Sequence, residues 1–96
     1  MMSEIPKGFE EVKKKDSKMS DAELLRIGII AELDAINLYE QLAARANEEN
    51  IRKVFLDIAK EEKTHVGEFL ALLLKIDKEQ VKELEKGKKE VEEITE

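Results

Sequence analysis

The segment EEKTHVGEF, residues 61–69, holds the chain's single histidine, His65, three positions after Glu62. On a helix, positions i and i+3 differ by about 60° around the axis and lie one turn apart, so a carboxylate and an imidazole at this spacing can reach one metal ion from the same face. Their neighbours Phe55, Ile58, Ala59, Val66 and Phe69 are apolar, which sets two groups that are unfavourable to bury on a hydrophobic stripe. A matching oddity stands upstream in IGIIAELDAI, where Glu32 shares its face with Ile29, Ala35, Ile36 and Tyr39. An ionised carboxylate in a core needs a cation or hydrogen-bond donors to compensate it, and the spacing of the nearby lysines turns them elsewhere.

Glu-x-x-His from one helix and a lone Glu from another make half of the ligand set of a di-metal carboxylate bundle. Two copies of this chain about a two-fold axis would bring together four carboxylates and two imidazoles, enough for two bridged ions. Hard oxygen donors with imidazole select Fe(II), with Mn(II) or Zn(II) as substitutes, and a closely spaced iron pair suits oxygen or peroxide chemistry. Glu-x-x-His alone is common on solvated helix faces. The conjunction carries the weight here: an apolar face, a single histidine, and a second intra-core Glu on the preceding helix.

Tyr39, two turns after Glu32 on the same face, could hydrogen-bond a ligand carboxylate, act as a redox-active neighbour, or fill the core. Asp34 lies off the Glu32 face and reads as an exposed acid or part of a solvent-side cation path. Glu40, Glu61 and Glu68 read as solvated or, at most, weakly coordinating. Gly67 is either a site of close helix approach or a neutral position.

Three helices must position these groups. Residues 1–19, with Pro6, Gly8 and the run KKKD, read as a flexible N-terminal arm. Ser20 with Glu23 is a capping-box pattern that opens a helix over about 21–46, ending at NEEN. A second helix runs over about 51–75. Each is roughly 38 Å long at 1.5 Å per residue, and so short a connection folds them back as an antiparallel hairpin. Asp77 with Gln80 starts a shorter third helix over about 78–90, whose amphipathic part ends near Gly87 and whose tail KKEVEEITE is expected to fray.

The fold class is therefore all-α. Leu24, Leu25, Ile27, Ile29, Ile30, Leu33, Ile36, Leu38, Leu42 and Ala43 cover far more of the first helix than the stripe of about 100° that one partner helix can bury. Leu70, Leu72, Leu73 and Leu74 repeat the excess on the second. The sequence thus predicts self-association, most simply through a two-fold axis that makes a four-helix core.

Composition agrees. A chain of 96 residues makes one small domain, with 42% charged residues, three Phe, one Tyr and no Trp, the profile of helices packing on helices. A net charge of −6 argues against nucleic acid or an anionic membrane surface as partner. Without cysteine these residues hold no disulfide, thiolate zinc site, iron-sulfur cluster or rubredoxin-type module. The N-terminus lacks a signal-peptide core, and FLALLL is far shorter than the roughly 20 residues of a membrane span, so a cytoplasmic location is expected.

AELDAINLYEQ (31–41) and EEKTHVGEF (61–69), separated by one short turn, resemble the encapsulated ferritin family of ferritin-like proteins over about residues 20–90. The resemblance is closest to the ferritin-like domain that some archaea fuse to the encapsulin shell protein. It implies a four-helix ferritin-like bundle formed by dimerisation, with Glu32, Glu62 and His65 of each subunit as ligands of a shared di-iron ferroxidase centre and Tyr39 beside them. It further implies a homo-oligomeric ring of dimers, typically a decamer, that oxidises Fe(II) to Fe(III) inside an encapsulin nanocompartment for iron storage.

Relatives can carry two acids that guide iron along the flank of the first helix, where this chain has Ala31 and Asp34. Its C-terminal EVEEITE is acidic, unlike the apolar and basic targeting peptides of free cargo, which fits either a domain cut from a fusion or a relative outside any shell. Two other functions use the same residues: a rubrerythrin-like di-metal peroxide reductase, and a non-catalytic helical oligomer or docking domain whose Glu and His pair with each other.

Overall fold

A computed structural model describes residues 19–96, so the expected arm, except for Met19, lies outside the described residues. Helix α1 spans Asp21–Arg45 and opens with the capping box. The Glu23 amide donates to the Ser20 hydroxyl at 3.2 Å, and the Ser20 amide donates to the Glu23 carboxylate at 2.9 Å. That backbone donor, chiefly, holds the Glu23 carboxyl below its ordinary range.

Helix α2 spans Glu49–Ile76, two residues earlier at its start than the sequence pattern predicts. The reason is an acidic cap: the Glu48 side chain accepts from the Ile51 amide at 2.9 Å. The connection is only Ala46–Glu48, and the two helices lie antiparallel along one seam.

Asp77 ends α2 and begins α3, which spans Lys78–Thr95. Its amide donates to the Leu73 carbonyl at 2.9 Å, and its carboxylate accepts from the Gln80 amide at 3.0 Å. The same carboxylate takes the Arg26 guanidinium, which ties the start of α3 to α1. The tail expected to fray is helical to Thr95. Lys and Glu are strong helix formers, and the about 1 kcal/mol that Gly87 costs relative to alanine does not stop them.

The seam of α1 follows alternating steps of three and four: Ala22, Leu25, Ile29, Glu32, Ile36, Tyr39 and Ala43. Phe55, Ala59, Glu62, Val66, Phe69 and Leu73 answer it from α2. Only Ile36, Ala43, Ala59 and Leu73 are buried among the described apolar residues. Among the described helices α3 packs only against α2, and so leaves the hairpin. Every regular element among the described residues is helical, as the all-α expectation requires.

Of the two readings of Gly67, the structure favours the neutral one. Among the described residues nothing lies within 4 Å of a Cβ built on Gly67, so no described helix approaches there. The close approach is at Gly28, where a Cβ would stand 3.1 Å from the Phe69 ring.

Candidate metal centre

Midway along the hairpin, the step pattern that elsewhere supplies apolar seam residues supplies Glu32 from α1 and Glu62 from α2. Glu62 is 1% exposed, the most deeply buried polar side chain among the described residues. Glu32 is 17% exposed at its side chain and His65, one turn along from Glu62, 40%. One ligand atom from each of the three lies within 4.8 Å of the others. The His65 Nδ1 stands 3.1 Å from a Glu32 oxygen and 3.4 Å from a Glu62 oxygen.

These neighbours leave Glu62 unsatisfied. Both Glu62 carboxylate oxygens are without a hydrogen-bond partner among the described residues, the 3.4 Å approach of His65 lacking the alignment of a bond. Two carboxylates facing one imidazole leave the cluster with more acid than base. An uncompensated buried charge is among the most destabilising features a core can hold. The cationic side chain nearest in sequence, Lys63, turns to Glu40 at 3.0 Å instead. A divalent cation fits the excess of acid, the orphaned oxygens and the donor types together.

The sequence pattern and the geometry thus meet in Glu32, Glu62 and His65. Tyr39 lies two turns toward the interhelical connection, its ring tilted 32° against Phe55 at a centroid distance of 6.1 Å. Among the described residues its hydroxyl makes no hydrogen bond to Glu32 or Glu62, so its visible role is packing. Asp34, Glu61 and Glu68 are exposed on the surface. The feature that pattern reading missed is Gly28, and its signal was the conjunction of a helix-interior glycine with a large aromatic at the antiparallel position.

His65 opens onto an apolar face. Ile51, Ile58, His65 and Leu72 recur at intervals of seven along α2, as do Leu24, Ala31 and Leu38 along α1. Leu24 and Leu72 line one groove, so the two stripes share a face of the hairpin. Leu24, Leu38, Ile51 and Leu72 are each about half exposed on it.

Residues 23–96 match the protein family described as Rubrerythrin. The chain is 64% identical over 73 residues to the ferritin-like-encapsulin shell fusion protein of Pyrococcus furiosus, covering 76% of this chain and 21% of that protein. It is 38% identical over 66 residues to the encapsulin nanocompartment cargo protein EncC of Myxococcus xanthus, covering 66% of this chain and 51% of that one. The chain therefore spans about a fifth and about half of these two relatives. Among solved structures, it superimposes on the encapsulated ferritin domain from Pyrococcus furiosus with a TM-score of 0.76 at 53% identity, over 99% of this chain and 88% of that one. The three-helix architecture is thus that of an encapsulated ferritin domain. No described helix is long and apolar enough to cross a membrane.

Proposed function

The chain belongs to the Rubrerythrin family, and from that premise we propose that it is a ferroxidase of iron storage, oxidising Fe(II) to Fe(III) at a di-iron site shared between two subunits. The observation that carries this reading is the Glu62 carboxylate, buried and unpartnered beside Glu32 and His65. One chain offers two carboxylates and one imidazole, half of a di-iron set, and a second copy supplies the other half.

The apolar face around His65 is the surface for that second copy. Its leucines and isoleucines would leave water on association, at about 25 cal/mol per Å² of apolar area. Covering it would also shut the exposed edge of His65 from solvent. Dimers would then assemble into a ring such as a decamer, with an encapsulin shell as the storage compartment. The names of the relatives from Pyrococcus furiosus and Myxococcus xanthus support that partner.

Fe(II) is the substrate, and each ferrous ion gives one electron to dioxygen. The chain's own groups perform the rest. Glu62 supplies negative charge in a site of low dielectric, which favours the product of higher charge; Glu32, at the edge of the burial, supplies a second carboxylate. His65 adds a neutral nitrogen donor, and Tyr39 lies on the same face two turns away. Oxygen consumption on adding Fe(II), absent in Glu32→Ala, Glu62→Ala and His65→Ala, is the expected result. Undiminished turnover in those variants would refute the assignment.

The family match also favours a second reading, a di-metal peroxide reductase using the same three residues. It predicts a peroxide-dependent rate far above the oxygen-dependent one when an external reductant is supplied.

A further inference from the structure

We propose that Gly28 is a positioning residue for the Glu32, Glu62 and His65 cluster, acting through the ring of Phe69; the proposal rests on the metal-site reading above. One edge of the Phe69 ring, Cδ2 and Cε2, stands where α1 carries no side chain. A Cβ at Gly28 would meet two ring carbons at 3.1 and 3.2 Å, inside the about 3.5–4.0 Å of ordinary carbon contact.

The place of this contact gives it leverage. Gly28 precedes Glu32 by four residues on α1, and Phe69 follows His65 by four on α2. Because the helices are antiparallel, both offsets run the same way, so the contact sits about 6 Å along the hairpin from the ligands. On the opposite side the Tyr39 and Phe55 rings meet at 6.1 Å. The ligand level therefore lies between two aromatic contacts, at one of which a Cβ on α1 would force the Phe69 ring to give by a few tenths of an ångström. Close-packed interiors transmit displacements of this kind. Any separation of α1 from α2 at Gly28 falls on the 3.1 and 3.4 Å approaches of His65 to the two carboxylates.

Helix propensity opposes glycine at this position, since alanine is the better helix former. Gly67, exposed on the outer face of α2, provides the control for helix propensity, because a Cβ there meets nothing within 4 Å among the described residues. If Gly28 were merely tolerated, alanine would raise stability at both positions and leave the site unchanged. The two accounts make opposite statements about metal binding.

The test uses the full chain and Co(II), followed anaerobically by calorimetric titration and by the d–d absorption that reports ligand geometry. Wild type and Gly67→Ala are expected to bind alike, with Gly67→Ala melting higher. Gly28→Ala is expected to keep its helical circular dichroism, to bind about tenfold or more weakly, as when ligand-orienting groups are altered, and to show a changed d–d spectrum. Gly28→Ala/Phe69→Leu, which makes room for the new methyl group, is expected to recover affinity and spectrum.

Wild-type affinity and spectrum in folded Gly28→Ala would overturn the positioning role while leaving the metal site standing. If Gly28→Ala does not fold, the double variant decides: recovered binding supports the role, and weak binding overturns it. Absence of Co(II) binding by wild type would instead overturn the metal-site reading, and the proposal with it.

Discussion

Two levels of one seam are built to opposite specifications. Around Leu73, Ala59, Ala43 and Ile36 the hairpin excludes water with apolar side chains and leaves nothing polar to satisfy. At the level of Glu62 the same geometry buries a carboxylate more deeply than any of those apolar residues, and without a hydrogen-bond partner among the described residues. Packing rules explain the first level and are violated by the second. The difference teaches that stability and function are separable along this hairpin, and substitutions at the two levels should move them in opposite directions.

The largest effect is expected at Glu62. Glu62→Leu should abolish oxygen consumption with Fe(II) and at the same time raise the stability of the metal-free protein by about 1–4 kcal/mol, as when buried ionic groups give way to apolar ones. Assay and denaturant melt on one preparation check both halves. Leu73→Ala is the converse: stability should fall by about 2–5 kcal/mol through lost burial and a residual cavity, while the iron bound per folded chain stays at the wild-type ratio.

A smaller effect is expected where the hairpin hands over to α3. Asp77→Ala removes the α3 cap and the partner of Arg26, so stability should fall by about 1 kcal/mol. Amide exchange should quicken over the first turn of α3, with Fe(II) binding retained. Quickened exchange around Glu62 would show that the two regions are not separable.

The smallest effect concerns acid. Glu23 has its carboxyl lowered by the Ser20 amide, so its contribution is present above the unfolded value and lost as pH falls through the folded one. Fraying confined to the first turn of α1 on acidification, abolished by Glu23→Gln, would be seen by amide exchange.

Much of this architecture is legible in residue spacing. Ser20 with Glu23 and Asp77 with Gln80 announce helix starts because capping places fixed residue types three apart, and Glu62 with His65 announce themselves because charge on an apolar stripe is unfavourable. Spacing within one helix does not reveal what stands opposite. A helical wheel puts Gly67 on the outer face of α2 and Gly28 at the edge of the α1 seam, three after Leu25 and four before Glu32, but only the antiparallel register brings Phe69 to Gly28. The length of α3 was hidden for another reason: KKEVEEITE lacks the apolar periodicity that marks a buried helix, yet its Lys and Glu content favours helix locally. Glu48 as a cap was hidden because serine, threonine, aspartate and asparagine are the usual residues there.

The most direct test of the central claim is native mass spectrometry of wild type and His65→Ala during anaerobic titration with Fe(II). Binding of two irons per dimer by wild type, lost in the variant while the dimer persists, is the result expected of a shared di-iron site. Iron uptake that is non-specific, or equal in the two proteins, would contradict it.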